Sequence, residues 1–285
     1  MADLKTYAEN TWCKGCGNVG ILNAVQKAVG RLEELGTPRS ELVITAGIGC
    51  HAKIFDYLGL SGVYGLHGRS LANAQGMKLA NPDLKVLSFV GDGDCMGEGF
   101  AHVMFAAKRN ADITVIMHNN GVYGLTTGQF TPTSAKGFRG RSTPHGSPEK
   151  PFNSLALLLE AGATYVARGY SGKIPDLIEL IVGGVRHSGF AFIEVLQPCV
   201  TFNNTYDLYN EKTFEQGAPA SDLETALQVA REKDPWPVGL LYKVNEESFH
   251  KALLGDSNPV RDKLSREERL ARVAKLIEAA TPKTG

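Results

Sequence analysis

An α/β fold built on a doubly wound parallel sheet is what this chain predicts, from two observations. Short apolar runs with the length of buried strands (42–46, 85–90, 113–117 and 190–196) alternate with helix-patterned stretches. The run 85–90, a helical pattern over 97–110 carried by Phe100, Val103, Met104 and Ala107, and the run 113–117 together make one βαβ unit. Its right-handed crossover brings both strand C-termini to one edge of the sheet.

The remaining elements follow in order. Residues 18–35 form an amphipathic helix with Ile21, Leu22, Val25, Val29 and Leu32 on one face, before strand 42–46. A short helix at 53–58, a strand near Val63 and a helix at 70–79 lead into the βαβ unit. Residues 129–151 are rich in Gly, Pro, Ser, Thr and basic side chains and lack periodicity, which marks a long loop of the kind that is usually functional or mobile. Helix 153–161, strand 164–167, helix 174–187 and strand 190–196 then resume the alternation. Past Cys199 the chain mixes aromatic and charged residues, with a strand at 237–244 and an amphipathic helix at 265–280 presenting Leu270, Val273, Leu276 and Ile277. We therefore expect an α/β domain over 1–205 and a C-terminal appendage over 206–285 that contacts a partner.

Composition excludes several classes. The chain of 285 residues is long enough for a sizeable core, and 30 Lys and Arg balance 30 Asp and Glu. No basic tract suggests a nucleic-acid footprint and no apolar run is long enough for a membrane span. The start of the sequence lacks the layout of a secretion signal, so a cytoplasmic location is expected.

Chemistry concentrates at the predicted sheet edge. The peptide Val-Gly-Asp-Gly-Asp at 90–94 ends one strand, and Asn120 in His-Asn-Asn-Gly at 118–121 ends the next, 26 residues after Asp94. Open α/β sheets bind ligands there. Asp92 and the Asn120 carbonyl supply oxygens of the kind Mg²⁺ takes, together with phosphate oxygens and water. Gly91 and Gly93 let backbone approach a phosphate, and the amides opening the helix at Gly97 favour an anion. The bland reading is a pair of ordinary Asp-Gly and Asn-Gly turns; their equivalent places one βαβ unit apart favour a metal and diphosphate site.

Five cysteines in a chain of this size do not resemble a disulfide framework. Cys13 and Cys16 form a C-x-x-C pair before the first helix, while Cys50 and Cys199 follow strands. A redox pair, a structural zinc site, an iron–sulfur cluster and unrelated buried thiols all remain open from spacing alone. Cys95 reads as a small buried residue. Gly-Ile-Gly-Cys-His-Ala at 47–52 fits a dinucleotide fingerprint, but the acid that should follow about 20 positions on is missing; Arg69 would suit an NADP phosphate.

The Gly91-Asp92-Gly93 to Asn119-Asn120 spacing resembles the thiamine diphosphate motif. With Trp-Cys-Lys-Gly-Cys-Gly-Asn at 12–18, Gly-Ile-Gly-Cys at 47–50, Leu-His-Gly-Arg at 66–69, Gly-Val-Tyr-Gly-Leu-Thr at 121–126 and Leu-Gln-Pro-Cys at 196–199, the chain resembles the beta subunit of 2-oxoacid:ferredoxin oxidoreductases from about residue 10 to 205. The resemblance implies a sheet of the thiamine diphosphate-binding type. It also implies Mg²⁺ on Asp92, Asn120 and the Val122 carbonyl, and cofactor contacts from Ile48, Gly49, Cys50, His51, His67, Gly93, Asp94, Gly124 and Leu125. Cys13, Cys16, Cys50 and Cys199 match the four ligands of a [4Fe–4S] cluster, and Lys53 matches a lysine near the substrate carboxylates.

By the same resemblance, the reaction is thiamine-dependent oxidative decarboxylation of a 2-oxoacid. Coenzyme A takes the acyl group and electrons leave through the cluster to ferredoxin; the direction, oxidation or CO₂ fixation, is set by ferredoxin potential and CO₂. The domain carrying the activating Glu against the aminopyrimidine ring is missing, so an alpha subunit must supply it, in an (αβ)₂ assembly or one with extra small subunits. Thr127 stands where relatives often carry Lys or Gly, so a second basic group for a distal carboxylate is either absent or brought by the partner. The expected substrate is 2-oxoglutarate, ahead of pyruvate or broad specificity. A non-catalytic, cluster-carrying subunit is the rival of different class, and the intact Asp92 and Asn120 pair argues against it.

Overall fold

In a computed structural model, residues 4–281 are described. Helix α1 (Gly17–Glu34) precedes β1 (Leu42–Ala46), a 3₁₀ turn (His51–Lys53), the single-turn α2 (Ile54–Tyr57) and β2 (Ser61–Tyr64). Then follow α3 (Ser70–Ala80), β3 (Lys85–Gly91), α4 (Phe100–Lys108), β4 (Thr114–Asn119), α5 (Ser154–Glu160), β5 (Tyr165–Tyr170), α6 (Ile174–Arg186) and β6 (Ala191–Leu196). The chain continues through α7 (Tyr206–Lys212), β7 (Thr213–Glu215), α8 (Leu223–Arg231), β8 (Trp236–Lys243), α9 (Phe249–Leu254) and α10 (Arg266–Ala280).

All eight strands join one sheet in the order β2-β1-β3-β4-β6-β5-β8-β7. The six strands β1 to β6 run parallel, and β8 pairs antiparallel with β5. Alternate residues of each central strand feed opposite cores, as a two-residue side-chain period requires. Ile44, Phe89, Ile116 and Ile193 meet α1 and α6 through Ile21, Val25, Leu177 and Ile181. Val43, Val86, Val115 and Phe192 meet α3, α4, α5 and α8 through Leu71, Val103, Leu155 and Leu227. Burial on both faces is why these strands read as unbroken apolar runs.

Strand β2 lies on one side of β1 and β3 on the other, so the chain reverses direction between β1 and β3. Such a switch point opens a crevice beyond the strand C-termini. It lies between the segments that follow Ala46 and Gly91.

Three elements differ from the sequence expectation. The helix expected over 97–110 begins as one π-helical turn, Asp94–Glu98, and α4 starts only at Phe100; at Gly99 between them a Cβ would lie 2.7 Å from the Asp94 carbonyl oxygen and 3.1 Å from that of Gly68, so the junction packs backbone against backbone. The segment after 205 does not leave the sheet at once, because β7 and β8 extend it and Leu241 and Ala226 enter the core. Finally, α10 is well capped, its Ser265 and Glu268 bonding reciprocally, yet Leu270, Val273, Leu276 and Ile277 are all exposed.

Candidate thiamine diphosphate and cluster site

Beyond the switch point lies a cleft of about 300 Å³. Its walls are Ile48, Gly49, Cys50 and His51 after β1, Gly91 to Asp94 after β3, and Asn120 and Val122 to Leu125 after β4. These are the residues expected to line the cofactor and bind Mg²⁺, with one exception: His67 is not on the wall.

Asp92 and Asp94 share this peptide but not their surroundings. Asp94 is buried, and its Oδ1 accepts the N–H groups of Gly68 (2.7 Å) and Ile48 (3.3 Å). His67 Nδ1 stands 2.8 Å from the same oxygen and His51 Nε2 3.4 Å from Oδ2, neither aligned as a hydrogen bond. Burial opposes the charge of Asp94, but the two imidazoles and the Gly68 amide outweigh it and hold the carboxyl well below its usual range. In return Asp94 raises the His67 imidazole. Asp94 thus staples the turns after β1, β2 and β3 together, and His67 acts on that staple.

Asp92 has no such cation. Its Oδ2 accepts hydroxyls from Thr131 (2.5 Å) and Thr133 (2.6 Å), and among the described residues no Lys, Arg or His pairs with it. Burial pushes its pKa up despite both hydroxyls. A buried carboxylate beside two amide or peptide carbonyls and no protein cation is a donor set that fits a hard divalent ion. Asn120 is held on three sides: Val122 N–H donates to its Oδ1 (3.0 Å), its Nδ2 donates to Gln197 Oε1 (2.9 Å), and Asn203 Nδ2 donates to its backbone oxygen (2.7 Å).

Next to the cleft lies a second pocket, of about 460 Å³. Cys13, Cys16, Cys50 and Cys199 all line it, together with Lys53, Trp12, Asn18, Gln197 and Thr201. Three segments deliver the thiols: the C-x-x-C stretch entering α1, which carries Cys13 and Cys16, the β1 turn and the β6 exit. Gly124 gauges their convergence, since a Cβ there would lie 3.6 Å from Cys50 Sγ and 3.8 Å from Cys199 Sγ. The turn at Gly124 thus packs directly against two of the four sulfurs. Burial pushes the Cys16 thiol up to about 11, aided by the charges of Cys199, Cys50 and Cys13, while the Asn18 backbone amide pulls it down. Trp12 Nε1 donates to the Cys50 carbonyl (2.6 Å), Thr201 Oγ1 to Cys13 Sγ (3.2 Å) and Gln197 Nε2 to Cys16 Sγ (3.7 Å). Among the described residues no group of three or more His, Cys, Asp or Glu side chains is set to hold a single metal ion. The four thiolates of a [4Fe–4S] cube, by contrast, each bind a different iron.

Residues 47–195 match the family model "Thiamine pyrophosphate enzyme, C-terminal TPP binding domain", and residues 199–255 match the model for the C-terminal part of the pyruvate ferredoxin oxidoreductase beta subunit. The beta subunit of 2-oxoacid:ferredoxin oxidoreductase from Saccharolobus solfataricus is 40% identical over 277 residues, covering 91% of this chain and 90% of the relative. This chain belongs to the family of 2-oxoacid:ferredoxin oxidoreductase beta subunits. A 2-oxoglutarate oxidoreductase subunit KorB from Mycobacterium tuberculosis is 39% identical over 75% of this chain and 57% of its own. The 2-oxoglutarate:ferredoxin oxidoreductase from Magnetococcus marinus, solved with 2-oxoglutarate, coenzyme A and succinyl-CoA bound, matches with a TM-score of 0.86 and 37% identity, over 98% of this chain and 95% of that one.

As a family member, the chain carries a thiamine diphosphate-binding domain and serves as an oxidoreductase subunit with an alpha partner. The dinucleotide fingerprint at 47–52 falls inside the matched thiamine region. It opens a 3₁₀ turn and the four-residue α2 rather than the full crossover helix on which a pyrophosphate would rest.

Sequence reasoning missed Thr131 and Thr133, which come from the aperiodic loop and clamp Asp92. Gln197, in the Leu-Gln-Pro-Cys stretch, carries no sequence signal of its contacts with Asn120 and Cys16. Lys53 was expected near substrate carboxylates; it lines the cysteine pocket, where its charge pulls the Cys50 thiol down against the rise due to burial. Thr127 has a left-handed backbone (φ 77°), and Arg141 from the long loop donates to its hydroxyl at 3.4 Å.

Proposed function

We propose that this chain, with its alpha partner, catalyses the coenzyme A-acylating oxidative decarboxylation of 2-oxoglutarate, passing electrons through a [4Fe–4S] cluster on Cys13, Cys16, Cys50 and Cys199 to ferredoxin. One observation carries the reading: the thiol pocket and the diphosphate cleft share Cys50, Asn120 and Gly124 as a common wall. A group that stores electrons next to one that receives them one at a time needs that adjacency, and neither a structural zinc site nor a bare electron carrier does.

Thiamine diphosphate, when bound, supplies a nucleophilic carbon and an electron sink. The chain's own residues hold and orient it: Asp92, Asn120 and the Val122 carbonyl toward Mg²⁺, and Ile48, Gly49, His51, Gly93, Gly124 and Leu125 as walls. Asp94 and His67 brace those walls from behind. The alpha partner brings the pyrimidine-binding domain with its Glu, and residues 206–285, with the exposed face of α10, offer it a contact.

The name of the Magnetococcus relative and the KorB similarity support 2-oxoglutarate over pyruvate. The Lys53 ammonium and the Arg141 guanidinium, which reaches the turn at Thr127, are the cations of this chain assigned to the substrate carboxylates.

The test is an anaerobic preparation of the complex with its alpha chain, assayed for iron, sulfide and zinc and for ferredoxin reduction by 2-oxoglutarate plus coenzyme A against pyruvate. About four irons and four sulfides per beta chain, with faster reduction by 2-oxoglutarate, is the expected result. Zinc without iron sinks the electron path, and a preference for pyruvate sinks the substrate assignment.

A further inference from the structure

Gln197 lies between the two halves of the site and is completely buried. Its side-chain amide touches one candidate ligand on each side: Oε1 accepts from Asn120 Nδ2 at 2.9 Å, and Nε2 approaches Cys16 Sγ at 3.7 Å while donating to the Pro198 carbonyl at 2.6 Å. The orientation of this amide is forced. Because Val122 N–H donates to Asn120 Oδ1, Asn120 must turn its NH₂ toward Gln197. Gln197 must then answer with oxygen, which leaves its NH₂ facing Cys16 and the Pro198 carbonyl. The backbone closes the arrangement: Gln197 N donates to Asn119 O (2.9 Å) and Gly17 N to Pro198 O (3.1 Å). A Cβ at Gly17 would stand 3.0 Å from both Gln197 Cγ and Pro198 Cδ, so α1 seats its C-x-x-C end tightly on this side chain.

We propose that Gln197 is a positioning residue that locks the Mg²⁺ ligand Asn120 and the cluster ligand Cys16 into one amide chain, so that a change at Gln197 alters thiamine diphosphate affinity and cluster potential together. The inference rests on the function proposed above. Two principles give its direction. Partners behind a metal ligand set its orientation, and their loss typically costs about 10–100-fold in affinity. Hydrogen bonds to cluster sulfurs tune the reduction potential; an N–H donor disperses charge on the thiolate and so favours the reduced, more negative cluster.

Gln197→Met keeps the length of the side chain and removes both donor and acceptor. In the anaerobic complex, Q197M is expected to weaken Mg²⁺-dependent thiamine diphosphate binding about tenfold by calorimetry. It is also expected to lower the midpoint potential of the cluster in a redox titration followed by electron paramagnetic resonance. An iron-containing variant that moves neither quantity, or only one, overturns the coupling. A second measurement needs no variant: with nitrogen-15 in glutamine side chains, spin-echo spectroscopy of the reduced wild-type cluster must show a coupled side-chain nitrogen. Its absence overturns the N–H to sulfur contact even if Q197M fails to assemble. A wild-type complex without iron removes the proposed function and this inference together, whereas normal iron with unaltered variants removes the inference alone.

Discussion

At the N-terminal ends of the strands, Lys78, Asn110, Asp112, Thr164 and His187 make a buried polar cluster; at the C-terminal ends, Asp92, Asp94, His51, His118 and Asn18 make another. The first is closed on itself but for one atom, His187 Nδ1, which lacks a hydrogen-bond partner among the described residues. Lys78 Nζ pairs with Asp112 at 2.7 Å and donates to the Pro82 and Leu84 carbonyls, while Asn110 accepts from Thr164 and from Phe190 N–H and donates to the Glu246 and Glu247 carbonyls. The second leaves groups unmet: among the described residues, Asn18 Nδ2, His51 Nε2, His118 Nε2 and Asp94 Oδ2 lack hydrogen-bond partners, and Asp92 lacks a cation. Buried polar groups without partners are costly. The difference separates an edge built for stability from an edge built to receive ligands.

Breaking the closed edge has the largest effect. Lys78→Met takes from the buried Asp112 its cation at 2.7 Å and leaves it, among the described residues, only the Gly189 N–H (3.2 Å) and His250 at 3.9 Å, at a cost of about 3 kcal/mol, the lower end for breaking a buried pair. At this chain length that corresponds to a fall in melting temperature of roughly 10 °C. Thiamine diphosphate affinity of whatever folded protein remains should not change, and a parallel loss of affinity measured by calorimetry would erase the distinction between the edges.

The converse change is Asp92→Asn. Removing a carboxylate that burial already disfavours should leave the melting temperature of the ligand-free chain unchanged or higher, the trade expected of a functional site. Mg²⁺-dependent thiamine diphosphate binding should weaken by about 100-fold or more, at or beyond the upper end of what the loss of a partner behind a ligand costs. A destabilised variant with intact binding would place Asp92 on the structural side.

Titration gives the smallest effect. Burial, with the charge of Lys243, pulls His187 from its usual 6.5 to about 4, against the opposing pull of Asp112. The folded state therefore binds fewer protons than the unfolded state between these values, so stability present above about pH 6.5 is lost as pH falls toward 4. Comparing melting temperatures at pH 7 and pH 5, His187→Gln should lose less on acidification than the wild type. An equal loss would mean that another group governs the acid limb.

The βαβ unit carrying Asp92 and Asn120 was legible because both residues sit at strand ends, and strand ends show as the stop of an apolar run. The cysteines were legible one by one, but their meeting was not, since nothing local relates Cys16 to Cys199. Thr131 and Thr133 escaped because an aperiodic loop gives no hint of where it folds back. The apolar face of α10 was legible from its periodicity, but period alone cannot say whether a face is covered, and this one is exposed.

The sequence by itself determined the alternating elements, the edge of the sheet where chemistry gathers, and the family, because these depend on short-range pattern and on motifs in chain order. Only the tertiary structure decided that the thiol pocket and the cleft share a wall, that Asp94 is braced by imidazoles while Asp92 has no protein cation beside it among the described residues, and that Gln197 joins the two. Those outcomes depend on long-range contacts and on which way each amide and carboxylate turns, and both are set by packing and desolvation once the sheet has formed.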